Sequence, residues 1–196
     1  SGKLNLSEDS LKQIEEDLRS EFAATLDARI DRYLEIGHHW IIGNHYFTQA
    51  STECIFLYRD GRFIAATMMS HAINEAIIEF IAERNSIERS LPTGESKKID
   101  VLIYELQQGS KVSNVCAEAA LKIYGSYRND IHHLNPKIAK LDFPPLALDN
   151  IKRLAAIEEE IFGVDLVDGG MIKPRHPIYW DLDPSGYTSA YLRIRS

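Results

Sequence analysis

Cysteine is scarce in this chain, with Cys54 and Cys116 as the only two among 196 residues. Both sit inside apolar helical patterns, so they read as small buried thiols and predict no disulfide framework. Long hydrophobic runs are missing too: no window approaches eighteen uninterrupted apolar residues, and the first thirty residues are charged throughout. Neither a transmembrane span nor a signal peptide is expected, and the reading is a cytoplasmic protein, with Ser1-Gly2 taken as an expression remnant. A positive balance is also lacking. The formal net charge of -7 excludes a protein that coats nucleic acid nonspecifically, because such binding runs on phosphate neutralisation. No glycine-rich phosphate loop follows a strand and no G-x-S-x-G element is present, so nucleotide-fold enzymes and serine hydrolases are not supported. His38, His39 and His45 have no HxxxH spacing, no cysteine partner and no clustered carboxylates, which makes them surface or packing histidines. No metal and no cofactor are expected.

What is there is a helical pattern. With 44% hydrophobic and 26% charged residues, the chain has enough material for one substantial core. Leu11, Ile14, Leu18, Phe22, Leu26, Ile30, Tyr33 and Leu34 recur at threes and fours and predict an amphipathic helix from Ser7, the N-cap, to about Ile36. Gly43-Asn44 suggests a turn. A helix over about 51–58 and a longer one over 62–83 follow, split at Asp60-Gly61. In the longer helix Met69, Ala72, Ile73, Ala76, Ile77, Phe80 and Ile81 form the expected buried stripe, with His71, Asn74, Glu75 and Glu79 on the other face. Residues 86–97 read as a loop and 100–107 as a short helix. Val112 to Leu134 keeps helical spacing without interruption up to Asn135-Pro136, where proline stops it. A last helix is expected over 148–161. Asp183-Pro184-Ser185-Gly186 then suggests a C-terminal hairpin, or an extended arm lying on the core.

The stretch YGSYRNDIHHLNP at 124–136 concentrates the chemistry. On a wheel with Tyr127 at the centre of the apolar stripe, Arg128 lies about 100° round, His132 about 140°, Asn129 about 200° and His133 about 240°. All four then point away from the core of their own helix. One reading is a solvated helix end whose cations sit well on the helix dipole. Chance weighs against it. With 12 Arg and 7 His in the chain, Arg followed at one fixed spacing by His is expected roughly 0.4 times, and roughly 0.02 times with Asn directly after the Arg. Locally the charge is also reversed: Lys122, Arg128, Lys137 and Lys140 face only Asp130, so an anion site is possible on an acidic protein.

R-N-x-x-x-H resembles the ribonuclease motif of the HEPN (higher eukaryotes and prokaryotes nucleotide-binding) domain family, matched here by Arg128, Asn129 and His133. The segment ECIFLYRDGRFIAATMMSHAINEAIIEF also looks like that family's early helices. The resemblance covers about residues 46–145. It implies a mainly α, HEPN-like up-and-down helical bundle, with 1–45 as an N-terminal helical extension and 146–196 as a C-terminal helix plus short hairpin or tail. It further implies a metal-independent endoribonuclease whose active site forms where two copies of the motif helix meet in a homodimer, used as a toxin or in phage defence.

His133 would be base or acid, Arg128 would hold the scissile phosphate, and Asn129 would orient His133 or touch the phosphate. His132 is the alternative titrating group, because it shares a line with Arg128. Asn74 and Glu75 read first as solvated surface and second as supporters of the site. In HEPN toxins paired with a nucleotidyltransferase antitoxin a Tyr usually stands two positions after the His, where this chain has Asn135. The expected partners are RNA, a second copy and an antitoxin or other regulatory protein. The alternative is a non-catalytic module of the same fold that binds RNA, a nucleotide or a protein.

Overall fold

The computed structural model describes residues 7–167 and 171–193. It is mainly helical, with seven α-helices among these residues: α1 (Glu8–Glu35), α2 (Thr48–Arg59), α3 (Phe63–Arg84), α4 (Ile99–Gln108), α5 (Asn114–Tyr124), α6 (Arg128–His132) and α7 (Phe143–Phe162). Local chemistry explains most boundaries. The Ser7 side chain accepts from Ser10 N and Ser113 from Cys116 N, each satisfying an orphan amide at a helix start. Gly61, at φ 75°, makes the left-handed turn that folds α3 back on α2. Pro144 and Pro145 fall in the first turn of α7, where their missing N–H groups cost nothing.

The bundle is organised round α3. Ile73, Ile77, Ile78, Phe80 and Ile81 are buried, and the helix packs against α2, α4, α5, α6 and α7. A helix surrounded in this way has no wholly solvated face. The polar face expected for it is accordingly not one: His71 and Asn74 are buried and Glu75 is half-buried, while Ala72 of the expected core stripe is exposed. Cys54 and Cys116 are buried free thiols. Burial pushes the Cys54 thiol up to about 12 and Cys116 higher still, which disfavours the reactive thiolate of both in the native fold.

Two short antiparallel pairs complete the architecture. Gly43 is not in a turn but ends a strand, β1 (Ile41–Gly43), that pairs with β4 (Ala190–Leu192) in the register Ile41↔Leu192. β2 (Val164–Val167) pairs with β3 (Met171–Pro174), and the Gly169-Gly170 pair lies outside the described residues. The expected hairpin at 183–186 is present in small form: Leu182 and Thr188 form one bridge across a turn in which Asp183 accepts from Ser185 N and Tyr187 N.

β4 leads into a buried ion pair. Arg193 donates from Nη1 and Nη2 to both carboxylate oxygens of Glu158 at 2.8 and 2.7 Å, and from the same two groups to His39 O and Ser51 Oγ. The segment after α7 is thereby fixed to α2 and α7. No helix among the described residues is long and apolar enough to cross a membrane.

Candidate functional site

The stretch expected to be one continuous helix is broken. α5 ends at Tyr124, Gly125 and Ser126 turn the chain, and Tyr127 sits at φ 57°, ψ 24° in the left-handed region. For a bulky L-residue that conformation costs about 1–2 kcal/mol. It is held by Tyr127 N donating to Gly125 O at 2.9 Å and by Ile131, fully buried, anchoring the new turn from below. α6 therefore starts on a fresh axis, and the wheel drawn through 112–134 does not carry across. Tyr127 and Leu134, expected in the core, are 52% and 66% exposed. The polar residues of α6 are re-aimed with it.

Arg128 turns toward α3. Its Nε forms an ion pair with Glu75 Oε1, and its guanidinium lies over the Tyr124 ring, 5.8 Å from the centroid. Together the carboxylate and the ring fix the plane of the fork. Nη1 reaches Asn129 Oδ1 only at 3.5 Å, and Nη2 has no hydrogen-bond partner among the described residues. That edge of a permanently charged group is free to take an anion.

His132 turns the same way, and its Nε2 stands 3.3 Å from His71 Nδ1 on α3. Proton bookkeeping assigns both rings. The single hydroxyl proton of Ser126 goes to Ile123 O at 2.6 Å, so Ser126 Oγ accepts from Asn150 Nδ2 at 3.0 Å and from His71 Nε2 at 2.8 Å. His71 carries its proton on Nε2 and offers a lone pair at Nδ1, which His132 Nε2–H fills. His132 Nδ1 is left as the ring's unengaged nitrogen. Asn150 also donates to Ser70 Oγ at 3.0 Å and Asn74 to Ala120 O at 3.2 Å, which ties α3, α5 and α7 together beneath α6.

His71 is held neutral. Burial first, then the neighbouring His132 and Arg128, push it down to about 4, against a hydrogen bond at Ser126 that works the other way. Above about pH 6.5 the ring is uncharged in both folded and unfolded chains; between about 6.5 and 4 only the unfolded chain takes up the proton. Stability therefore falls as pH falls through that window, by up to about 3 kcal/mol from this group. His71→Gln keeps a donor for Ser126 and removes the titration. Denaturant unfolding at neutral pH and near pH 4 is expected to show the wild-type advantage over the variant shrinking by about that amount; a constant difference refutes the assignment.

The site residues expected from sequence are thus divided. Arg128, Glu75 and His132 come together, and Asn74 lies under them, fully buried rather than solvated. Asn129 and His133 are exposed, as His132 is, but neither reaches α3 through a hydrogen bond or ion pair, and the ring of His133, the C-cap of α6, forms none among the described residues. His71, Ser126 and Asn150 were not expected in the site. The available signal was His71, Asn74 and Glu75 at i, i+3 and i+4 in an otherwise apolar helix.

The other histidines diverge. His45 packs on Phe80 with ring centroids 4.3 Å apart, His39 pairs with Glu159 at 3.0 Å, and His38 lies against Tyr33. Among the described residues no group of three or more His, Cys, Asp or Glu side chains is placed to hold a metal ion. Compared with known proteins, the chain matches no family model, no curated protein and no solved structure.

Proposed function

We propose that the α6 face is the half-site of a metal-independent endoribonuclease of HEPN type, completed by the same face of a second copy. The observation that carries the reading is the Arg128 guanidinium, held by Glu75 and Tyr124 with Nη2 unengaged among the described residues, on a five-residue helix that ends in His132 and is capped by His133.

Cleavage beside a ribose 2′-hydroxyl needs a base to take that proton, an acid to protonate the departing 5′-oxygen, and positive charge on the phosphate as it becomes pentacoordinate. Arg128 supplies the charge. His133, exposed and unengaged, is the proton-transfer group, and a two-fold axis doubles it so that one copy acts as base and the other as acid. Asn129, one turn before His133 on the same line, positions the ring or the phosphate. His132 instead uses one nitrogen to bond neutral His71, which gives it an orienting part and leaves Nδ1 as the alternative base.

Use as a toxin or defence effector, with an antitoxin or regulator restraining it, follows from the family resemblance. Purified protein in excess chelator is expected to cut single-stranded RNA to 2′,3′-cyclic phosphate and 5′-hydroxyl ends, and His133→Ala to lose that activity. RNA affinity without turnover, unchanged by His133→Ala, would instead identify a non-catalytic binding module; no interaction with RNA at all would remove the reading.

A further inference from the structure

The apolar face of α1 has no counterpart among the described residues. Every residue from Glu8 to Ala28 is exposed, and α1 touches the body through its last two turns: Arg29 pairs with Asp60, Arg32 donates to Arg59 O and Tyr58 donates to Glu35. Twenty-one residues at 1.5 Å each make about 30 Å of helix standing clear of the bundle. Leu11, Ile14, Leu18, Phe22, Leu26, Ile30 and Leu34 lie along it, between 40 and 72% exposed. They form a strip of roughly 700 Å², above the size of apolar patch that monomers usually leave open.

We propose that α1 is a homodimerisation helix that pairs antiparallel with α1 of a second copy about a two-fold axis at Phe22. Three observations select that occupant. The four-residue row reads Ile14, Leu18, Phe22, Leu26, Ile30, which is the same in both directions. A two-fold interface requires such self-complementarity, since each contact of residue i with residue j recurs as j with i. Here Phe22 meets Phe22, Leu18 meets Leu26 and Ile14 meets Ile30.

Charge favours the direction. Glu8, Asp9, Glu15, Glu16, Asp17 and Glu21 outnumber Lys12 and Arg19 in the outer half, net -4, whereas Arg29 and Arg32 nearly balance Asp27, Asp31 and Glu35 in the inner half, net -1. Antiparallel pairing sets the acidic half of one copy beside the nearly neutral half of the other; parallel pairing sets acid on acid. The four-residue spacing gives the row a right-handed drift, so the helices cross ridge into groove and do not form a left-handed heptad coil.

This inference goes beyond the nuclease reading and does not depend on it, because α1 packs on α2 and α6 on α3. Sedimentation or light scattering of the full chain across the micromolar range is expected to give twice the 22.3 kDa chain mass. Leu18→Glu/Phe22→Glu is expected to halve that mass while the circular dichroism of the bundle persists. Direction is read by cysteine pairs, against the background of buried Cys54 and Cys116. Phe22→Cys chains are expected to cross-link to each other, and Leu18→Cys chains to Leu26→Cys chains but not to themselves. A monomer at all concentrations overturns the proposal, as does a dimer left intact by Leu18→Glu/Phe22→Glu or self-linking of Leu18→Cys. The two readings fail separately: the α6 half-site needs a second copy, so the monomeric variant is expected to lose RNA cleavage as well, while the cysteine cross-links read α1 pairing alone and His133→Ala in the dimer reads the α6 site alone.

Discussion

Replacing Arg193 by alanine is expected to lower the unfolding free energy by about 3–5 kcal/mol, the cost of removing one partner from a buried ion pair. Arg193 and Glu158 are each 2% exposed at the side chain. The guanidinium meets both carboxylate oxygens and also bonds Ser51 Oγ and His39 O. Without it, the Glu158 carboxylate stays buried with only the Ser51 hydroxyl, at 2.5 Å, as a hydrogen-bond partner among the described residues. The desolvation penalty of the stranded charge, more than the lost attraction, sets the size of the effect. Arg193→Met/Glu158→Leu removes both charges and is expected to recover most of the loss, because an apolar replacement of a buried pair is often neutral. Equilibrium urea unfolding of the three proteins checks this; a single variant within about 1 kcal/mol of wild type would mean that water reaches the pair.

The second large effect concerns turnover. If the α6 face cleaves RNA, His133→Ala should reduce the rate by about 10²–10⁴-fold, the usual worth of a positioned acid or base. Arg128→Ala should cost about 10²–10³-fold through lost charge stabilisation. Arg128→Lys should restore little of it, since a lysine has no planar fork to be clamped between Glu75 and Tyr124. His132→Ala is the arbiter between the adjacent rings. A fall smaller than that of His133→Ala fits an orienting part beside His71, and a larger one moves the proton transfer to His132. Single-turnover assays in chelator, with the fold of each variant checked by circular dichroism, separate these outcomes.

Much of the bundle was legible because helices bury stripes. The spacing in α1, α2, α4 and the longer α3 places them within a few residues of where they lie, since periodicity is a local property of the sequence. The break at 125–127 was not legible. Ile123, Tyr127, Ile131 and Leu134 keep helical intervals straight through it, whereas the left-handed Tyr127 accompanies the packing of α6 on α3 and the burial of Ile131, which local spacing does not encode. The same holds for His71 and Asn74. Their polarity argues for solvent, and only the arrival of Ser126 and Ala120 O from distant positions makes burial affordable. The β1–β4 pair lies beyond local patterning for the same reason, since three-residue strands are defined by their partner. Of the candidate site, the residue types were visible in the sequence, whereas which of them face α3 and which face outward depended on that break.

The Arg193 bridge also bears on the order of folding. Arg193 lies 35 residues beyond Glu158 in the chain, 142 beyond Ser51 and 154 beyond His39. Closing loops of that length costs entropy before the contacts return any, so the bridge is expected to form after the helices it fastens have docked. A contact made after the barrier contributes to the rate of escape from the native state and not to the rate of reaching it. The segment from β4 to Arg193 is thereby expected to act as a kinetic clasp, one that sets how long the bundle stays closed.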